Sequence, residues 1–221
     1  MKKQKLYWLV ESALMIALAI VLEIVSKMFL PKLPFGGQFT IVSMLPVILV
    51  GWKYGVAKGL VTGFVYSLAE AVIGVADGTI TAAFLPVEED GLGVGKAILM
   101  LFLDYILAYT VLGLAAMYKK SIKKNWLSLA LGAFTVLVFR YMSHILSGYI
   151  LYGAWAEWFF TEKVSWGGGI YAKFKDNANM LSFVYSVVYN GLYMIPEIII
   201  TPIVAAVIGK IPQITSVKNA K

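Results

Sequence analysis

Ionisable side chains interrupt two of the long apolar segments of this sequence, which is 221 residues long. Asp104 lies inside one segment, and Arg140 and His144 lie one helical turn apart inside the next. Charged groups are costly to bury in apolar helices, so they are candidates for function wherever they occur there. A carboxylate, an imidazole and a guanidinium on neighbouring helices would supply the charges of a binding pocket.

A polar stripe in the last long apolar segment could supply the uncharged half of such a pocket. Its members occur at i, i+4, i+7 and i+11, and they are Ser186, Asn190, Tyr193 and Glu197. This spacing places them on one face of a helix, with Tyr185 and Tyr189 beside them. Aromatic faces attract cations, and a carboxylate in a low dielectric supplies the opposite charge. The combination therefore favours a flat organic cation as ligand, whereas an anion would require more cations than Arg140.

Three alternatives that involve no ligand remain open for these residues. Asp104 could form a salt bridge with Arg140 that only joins two helices. His144, the one histidine, could make only an interhelical hydrogen bond. The tyrosines could belong to an interfacial belt, since Tyr and Trp collect at membrane surfaces.

The composition indicates which kind of protein carries these groups. Hydrophobic residues make up 60% of the chain and charged residues 14%, and the mean hydropathy is +0.81, which is too apolar for a soluble domain. We predict an all-α integral membrane protein, a single domain over residues 1–221 with six transmembrane helices. Their predicted bounds are 6–26, 39–52, 56–75, 96–118, 126–152 and 178–208. The second is short and contains Pro46, so we expect it to be kinked or partly buried.

Charge sorts the connecting segments into two groups. The two ends and the turns near residues 53–58 and 119–124 hold 12 lysines and no acid, whereas the other three loops hold six lysines and seven acids. By the positive-inside rule both termini are cytoplasmic, which an even number of helices allows. The three long loops then face outward, where a ligand would enter.

Several other classes of site are disfavoured. The chain has no cysteine and one histidine, which argues against disulfides, thiol nucleophiles and a metal centre. Segment 91–97 resembles a phosphate-binding loop, but Asp90 occupies the first glycine position and Ala97 the position of the Ser or Thr that binds magnesium. The lysines lie between apolar runs, which fits membrane orientation better than nucleic-acid binding. The amino-terminal segment imitates a signal peptide, but its apolar run continues past the candidate cleavage site, so we expect no cleavage.

Three segments in order carry a resemblance to a known family. They are Leu103-Asp104-Tyr105-Ile106-Leu107-Ala108-Tyr109, then Arg140-Tyr141-Met142-Ser143-His144 with Ser147-Gly148, and Tyr185-Ser186-Val187-Val188-Tyr189-Asn190-Gly191-Leu192-Tyr193. Gly36-Gly37 followed by Met44-Leu45-Pro46 also fits. With these motifs the chain resembles the thiamine-specific substrate-binding subunits, or S components, of energy-coupling factor (ECF) transporters, over nearly its full length.

This resemblance implies a function without enzymatic activity and without a cofactor. The chain would capture thiamine from outside a bacterial plasma membrane and associate with a shared module of one transmembrane coupling subunit and two ATPases. By family position, the substrate-binding residues are Asp104, Tyr105, His144, Tyr152, Tyr185 and Asn190. Tyr152 stands where some members have Trp, and Asp104 where some have a longer acid.

The resemblance also implies a role for two small residues on helix one. Ala13 and Ala17 form a small-xxx-small pair, a spacing that permits close helix contact. The pair could pack within the subunit, or it could dock on the coupling subunit, as the resemblance implies. The outer loops 76–95 and 153–177 are unusually long for the family. The tryptophans of the second loop, Trp155, Trp158 and Trp166, could form a lid or only anchor the protein at the interface.

Two rival functions from other classes also remain open. An ion-coupled secondary transporter of a small organic cation would use Asp104 or Glu197 as proton carrier, although no internal repeat is visible. An intramembrane enzyme would use His144 with Asp104. The sequence does not separate thiamine from its phosphates or from a pyrimidine precursor.

Overall fold

The computed structural model describes residues 2–87 and 91–216, with side chains described from residue 6 onward. All secondary structure in this part of the chain is helical. Several charged residues of the loops and termini lie outside the described part: the acids of segment 88–90, the side chains of Lys2, Lys3 and Lys5, and the lysines at positions 218 and 221.

The principal helices follow the predicted apolar segments. In chain order they are α1 (Lys2–Phe29), α2 (Leu45–Tyr54), α3 (Val56–Ala76), α4 (Thr79–Ala83), α5 (Val94–Tyr118), α6 (Asn125–Leu151), α7 (Gly168–Phe174), α8 (Ala178–Ile208) and α9 (Pro212–Thr215). Short helical turns at Pro34–Gly36 and from Gly153 to Lys163 lie in the connecting loops. The chain is therefore an all-α bundle, as predicted.

Five helices of the described chain, α1, α3, α5, α6 and α8, are long and apolar enough to cross a membrane. Helix α2 has only 10 residues, which at about 1.5 Å per residue span roughly half of a hydrocarbon core of about 30 Å. The predicted segment 39–52 therefore does not form a full-length spanning helix.

The start of α2 explains this difference. Residues 39–44 run as non-helical chain before Leu45, and Pro46 lies in the first turn of the helix, where a proline is tolerated. The expected kink at Pro46 is therefore absent, whereas the expected burial is present, since Leu45 to Lys53 are all buried. Non-helical backbone is tolerated among spanning helices when protein covers it, and Thr40, Ser43 and Met44 are buried.

Glycines set the close contacts between α2, α3 and α5. A Cβ atom on Gly113 of α5 would collide with the backbone of Gly59 on α3, and a Cβ on Gly59 would also meet Gly51 on α2. Small residues let helix backbones approach in this way. Gly59 and Gly113 therefore pack inside the bundle.

The loops lie at two opposite ends of the bundle, as the charge pattern predicts. At one end Lys119 donates to the carbonyl oxygen of Lys53 over 2.9 Å, and Lys210 lies over the ring of Trp126. At the other end Lys32 donates to Thr79, so the α1–α2 loop meets the α3–α4 corner. The described lysines of the basic turns are therefore gathered at one end.

The tight contact at Gly113 provides a test of this packing. We expect Gly113→Ala to destabilise the protein by about 1–3 kcal/mol, because the added methyl group has no space between the α3 and α5 backbones. Thermal unfolding in detergent measures the effect. Gly95→Ala on the same helix is the matched control, because nothing lies within 4 Å of the added Cβ. Equal unfolding temperatures for the two variants would contradict the packing.

Candidate functional site

One cavity lies at the end of the bundle that carries the loops around Phe35 and Thr79. It has about 990 Å³ of free space when its open side is counted. Helices α1, α3, α5, α6 and α8 all contribute to its wall. The cavity brings together all six residues predicted to bind substrate: Asp104, Tyr105, His144, Tyr152, Tyr185 and Asn190.

Asp104 is held by two side chains of α6. Its Oδ1 lies 2.8 Å from His144 Nδ1, and its Oδ2 accepts a hydrogen bond of 2.6 Å from Ser147. His144 and Ser147 are three residues apart, so they share one face of α6. Asp104 lies in a π-helical stretch, Leu101–Leu107, and such stretches often occur at functional sites.

Among the described side chains, Asp104 and Arg140 do not form the salt bridge that the sequence left open. Arg140 instead donates to Tyr109 Oη over 3.1 Å, with its guanidinium 4.5 Å from the centre of the Tyr109 ring. Its Nη1 lies 2.8 Å from the sulfur of Met44. Asp104 is thus balanced by neutral donors, which leaves its negative charge available to the cavity.

One ring nitrogen of His144 has no partner among the described residues. An ionised carboxylate only accepts hydrogen bonds, so the proton of a neutral imidazole lies on Nδ1, beside Asp104. The other ring nitrogen, Nε2, is buried and has no hydrogen-bond partner among the described residues. His144 therefore makes the interhelical hydrogen bond considered from the sequence. Its Nε2 can in addition accept a hydrogen bond from a ligand.

The polar stripe of α8 packs on α6 beside this group. Asn190 Nδ2 donates to the carbonyl oxygens of His144 and Ser186, and Asn190 Oδ1 accepts from Tyr193 over 2.6 Å. Gly148 allows the close approach, since a Cβ there would collide with Ser186. Glu197, the last member of the stripe, is buried and accepts from Thr40 instead of lining the cavity.

Aromatic rings gather around Phe35 at the loop end of the cavity. Phe35 lies 5.4 Å from Tyr152, 5.1 Å from Trp155 and 6.0 Å from Trp158, measured between ring centres. Two of the three loop tryptophans therefore pack on the α1–α2 loop, which favours the lid over the interfacial anchor for these two. Trp166 is 52% exposed.

The α1–α2 loop is fastened to α8 by side-chain hydrogen bonds. Tyr189 Oη accepts from the amide of Gly37 over 3.1 Å and donates to the carbonyl oxygen of Pro34. Further along, the amide of Thr40 donates to Glu197 over 2.8 Å. Phe35 has a φ of +60°, an uncommon value for a residue other than glycine, which these contacts help to maintain.

Sequence reasoning missed two further acids of the cavity wall. Glu23 of α1 and Glu70 of α3 line the cavity and are 4% and 2% exposed. The sequence contained a feature that could have identified them, because both acids interrupt apolar runs. Glu70 also lies four residues after buried Tyr66 and four before buried Gly74, on the same helix face. Asp104 is therefore not a lone acid in this pocket.

An ion-pair chain forms the rim beside these acids. Lys27 lies 2.6 Å from Glu23 and 3.4 Å from Asp77, and Lys32 lies 3.5 Å from Asp77. Burial acts to raise the pKa of Asp77, but hydrogen bonds from Thr79 and the charges of Lys32 and Lys27 outweigh it, and they hold that pKa below its usual value. Asp77 therefore stays ionised at neutral pH, and the chain holds the α1–α2 loop against the α3–α4 corner.

The fastening of the loop predicts the effect of removing one hydroxyl group. We expect Tyr189→Phe to speed hydrogen exchange of the Gly37 amide by about fivefold or more, because this amide loses its acceptor, a loss of about 1 kcal/mol or more. Exchange measured by mass spectrometry on peptides over 33–40 checks this. Tyr149→Phe, on the outer part of α6, is the control. Unchanged exchange in Tyr189→Phe would show that the hydroxyl does not hold the loop.

Comparison with known proteins places the chain in a family. A family model described as thiamine transporter protein (Thia_YuaJ) matches residues 9–86 and 93–158, a range that contains Asp104, His144 and Tyr152. Thiamine transporter ThiT of Bacillus subtilis (strain 168) is 30% identical over 212 residues, which are 92% of this chain and 90% of that protein. A solved structure of ThiT from Listeria monocytogenes has the same fold, with a TM-score of 0.62 and 19% identity over 96% of this chain and 98% of that one.

These matches agree with the motifs, the apolar helices and the shared cavity. The family consists of transporters and not of enzymes, which removes the intramembrane enzyme as a reading of His144 and Asp104. Because the family model covers well over half of the chain, this protein belongs to the thiamine transporter protein family.

Proposed function

We propose that this chain is the thiamine-binding S component of an ECF-type transporter in a bacterial plasma membrane, with both termini cytoplasmic. It binds thiamine with high affinity from outside, and a coupling subunit with two ATPases drives release inside. One observation carries the proposal: the six residues expected from the family motifs line one cavity with a carboxylate and several aromatic rings. The resemblance and the family membership supply the coupling to the ATPases.

The thiazolium ring of thiamine carries a permanent positive charge, and Asp104 is its counter-charge in this proposal. His144 and Ser147 fix the carboxylate by hydrogen bonds, and with a neutral imidazole these bonds leave its charge in place. Tyr152 covers a face of the ligand, because an aromatic face also attracts a cation. Tyr105 forms the wall next to Asp104 and packs against Gly74 of α3.

The aminopyrimidine ring lies against α6 and α8 in this arrangement. His144 Nε2 accepts a hydrogen bond from its amino group, since this nitrogen is buried and has no partner within the described chain. Tyr185 and Asn190 bind the ring edge from α8. Buried polar groups that lack partners are costly, so filling them favours the ligand over an empty pocket.

The ion-coupled secondary transporter receives less support. Glu197, one of its two candidate proton carriers, accepts from Thr40 and Thr201 and does not contact the cavity. Uptake by the isolated chain in proteoliposomes, driven by a pH gradient without any ATPase, would favour this alternative over the S component.

Replacing the counter-charge tests the binding site. We expect Asp104→Asn to weaken thiamine binding by at least about tenfold, equivalent to about 1.4 kcal/mol, because the neutral amide keeps the shape and loses the charge. Calorimetry of the detergent-purified chain against thiamine measures it. Asp176→Asn, an exposed aspartate in an outer loop, is the matched control. Equal affinity in Asp104→Asn and the wild type would remove Asp104 from the site.

Docking on a coupling subunit predicts the effect of substitutions at Ala13 and Ala17 on α1. Ala13 and Ala17 are exposed, so they do not pack within the described chain and are free to dock on a partner. We expect Ala13→Leu with Ala17→Leu to keep thiamine affinity and to abolish co-purification with the coupling subunit, because the larger side chains prevent close helix contact.

The matched control adds bulk to another exposed helix face. Val61→Leu with Val65→Leu on α3 should leave co-purification intact, since both valines are about half exposed. A complex that survives in the alanine double variant would show that the docking surface lies elsewhere.

A further inference from the structure

A second pocket, which we call the loop pocket, borders the α1–α2 loop and has about 900 Å³ of free space when its open side is counted. Five residues line both the loop pocket and the cavity, and they are Phe35, Gly36, Asp77, Thr79 and Tyr152. The two spaces therefore meet at one partition, to which the α1–α2 loop and the α3–α4 corner both contribute. A ligand that passes between these two segments moves from the loop pocket into the cavity.

Ion pairs join the loop to the α3–α4 corner at this partition. Asp77 Oδ2 lies 3.4 Å from Lys27 Nζ and 3.5 Å from Lys32 Nζ, and Lys32 also donates to the Thr79 hydroxyl over 3.0 Å. The amide of Thr79 donates to Asp77 Oδ1 over 3.1 Å, which fixes the carboxylate at the corner. Gly36 of the loop meets Thr79 directly but has no side chain to add to the contact. Charge therefore supplies an attraction across this edge of the loop.

The other edge of the loop is joined to α8 by hydrogen bonds. Tyr189 bonds the backbone at Pro34 and at Gly37. Further along, Thr40 donates to Glu197 through both its amide and its hydroxyl, and both residues are buried. Buried hydrogen bonds to a carboxylate are costly to break, because the separated groups do not reach water. The α8 edge is therefore the firm edge of the loop.

The edge at the α3–α4 corner is the weaker one. The side chains of Lys32, Asp77 and Lys27 are 41%, 29% and 27% exposed. Ion pairs that water reaches contribute little free energy, because water solvates the separated charges and salt screens their attraction. Opening of the cavity therefore costs least where the loop leaves the α3–α4 corner, with the α8 contacts kept.

We propose that Lys32 and Asp77 form the latch of an entry gate, through which the vitamin passes between the loop pocket and the cavity. The gate opens when Asp77 releases Lys27 and Lys32 and the loop moves away from the α3–α4 corner. The same ion pairs are closed before the ligand enters and after it is bound, so they do not distinguish the free from the occupied state. The latch therefore sets the rates of binding and release and leaves the affinity unchanged. This inference rests on the proposed function.

The kinetics of thiamine exchange in the detergent-purified chain test the latch. Lys32→Met is the informative variant, because Lys32 is not among the described residues that line the cavity, and its exposed position tolerates the change. We expect it to raise the association and dissociation rate constants by about threefold or more and to keep Kd within about twofold of the wild type. Stopped-flow tryptophan fluorescence measures association, and loss of radiolabelled thiamine into an excess of unlabelled vitamin measures dissociation.

Two further comparisons show whether Lys32 acts through Asp77. Lys32→Met should have a much smaller effect in a chain that already carries Asp77→Asn, because the ion pair is then absent. Added salt should speed release from the wild type more than release from Lys32→Met. Glu11→Gln is the matched control, because it breaks the 2.6 Å ion pair with Lys53 at the opposite end of the bundle and should leave both rate constants unchanged.

The outcomes separate this inference from the proposed function. Unchanged rate constants in Lys32→Met, or an equal acceleration in Glu11→Gln, would overturn the latch and leave thiamine binding intact. Faster release with unchanged association, and hence a weaker affinity, would also overturn it, because Lys32 would then stabilise only the occupied state. A wild type that binds no thiamine would overturn the proposed function itself, and this inference with it.

Discussion

The contact that the site depends on joins Asp104 of α5 to His144 and Ser147 of α6. A carboxylate inside an apolar bundle needs hydrogen-bond donors, and neutral donors satisfy it without removing its charge. A salt bridge to Arg140 would have cancelled that charge. The guanidinium instead lies on the Tyr109 ring, so the negative charge of Asp104 is available where the cavity is open to a cation.

The same contact organises the rest of the pocket. With His144 Nδ1 beside Asp104, its Nε2 has no hydrogen-bond partner in the described chain, and its backbone carbonyl accepts from Asn190 of α8. Close packing at Gly148 keeps α6 and α8 near enough for this bond. One carboxylate therefore fixes the placement of an imidazole acceptor and a carboxamide on two further helices.

The α1–α2 loop, which covers part of the cavity, is held by side chains of α8. Tyr189 holds the backbone at Pro34 and Gly37, and Glu197 holds Thr40. Phe35 is thereby kept against Tyr152 and the two loop tryptophans. Glu197 thus serves the fold of the α1–α2 loop, which explains why a buried acid on the polar stripe of α8 lies away from the cavity.

Periodicity predicted much of this arrangement, because an apolar helix has to turn its few polar residues toward the protein interior. The stripe on α8 and the pair on α6 obey that rule, and the predicted bounds of α8 are those observed. Helix α2 was predicted too long, since the run 39–44 is apolar enough for a helix but is held in a non-helical form by hydrogen bonds from Thr40 to Glu197 and from the Ile41 amide to Ser26. Glu70 was missed although it interrupts α3, and its place in the same cavity as Asp104 depends on how α3 packs on α5, which spacing along one helix does not specify.

The most direct test of the central claim is an experimental structure of the chain with thiamine bound. The account predicts the thiazolium ring in the cavity, in contact with the Asp104 carboxylate, with His144 and Ser147 still bonded to that carboxylate. A vitamin bound elsewhere, or an Asp104 side chain turned to Arg140 or to the lipid, would contradict it.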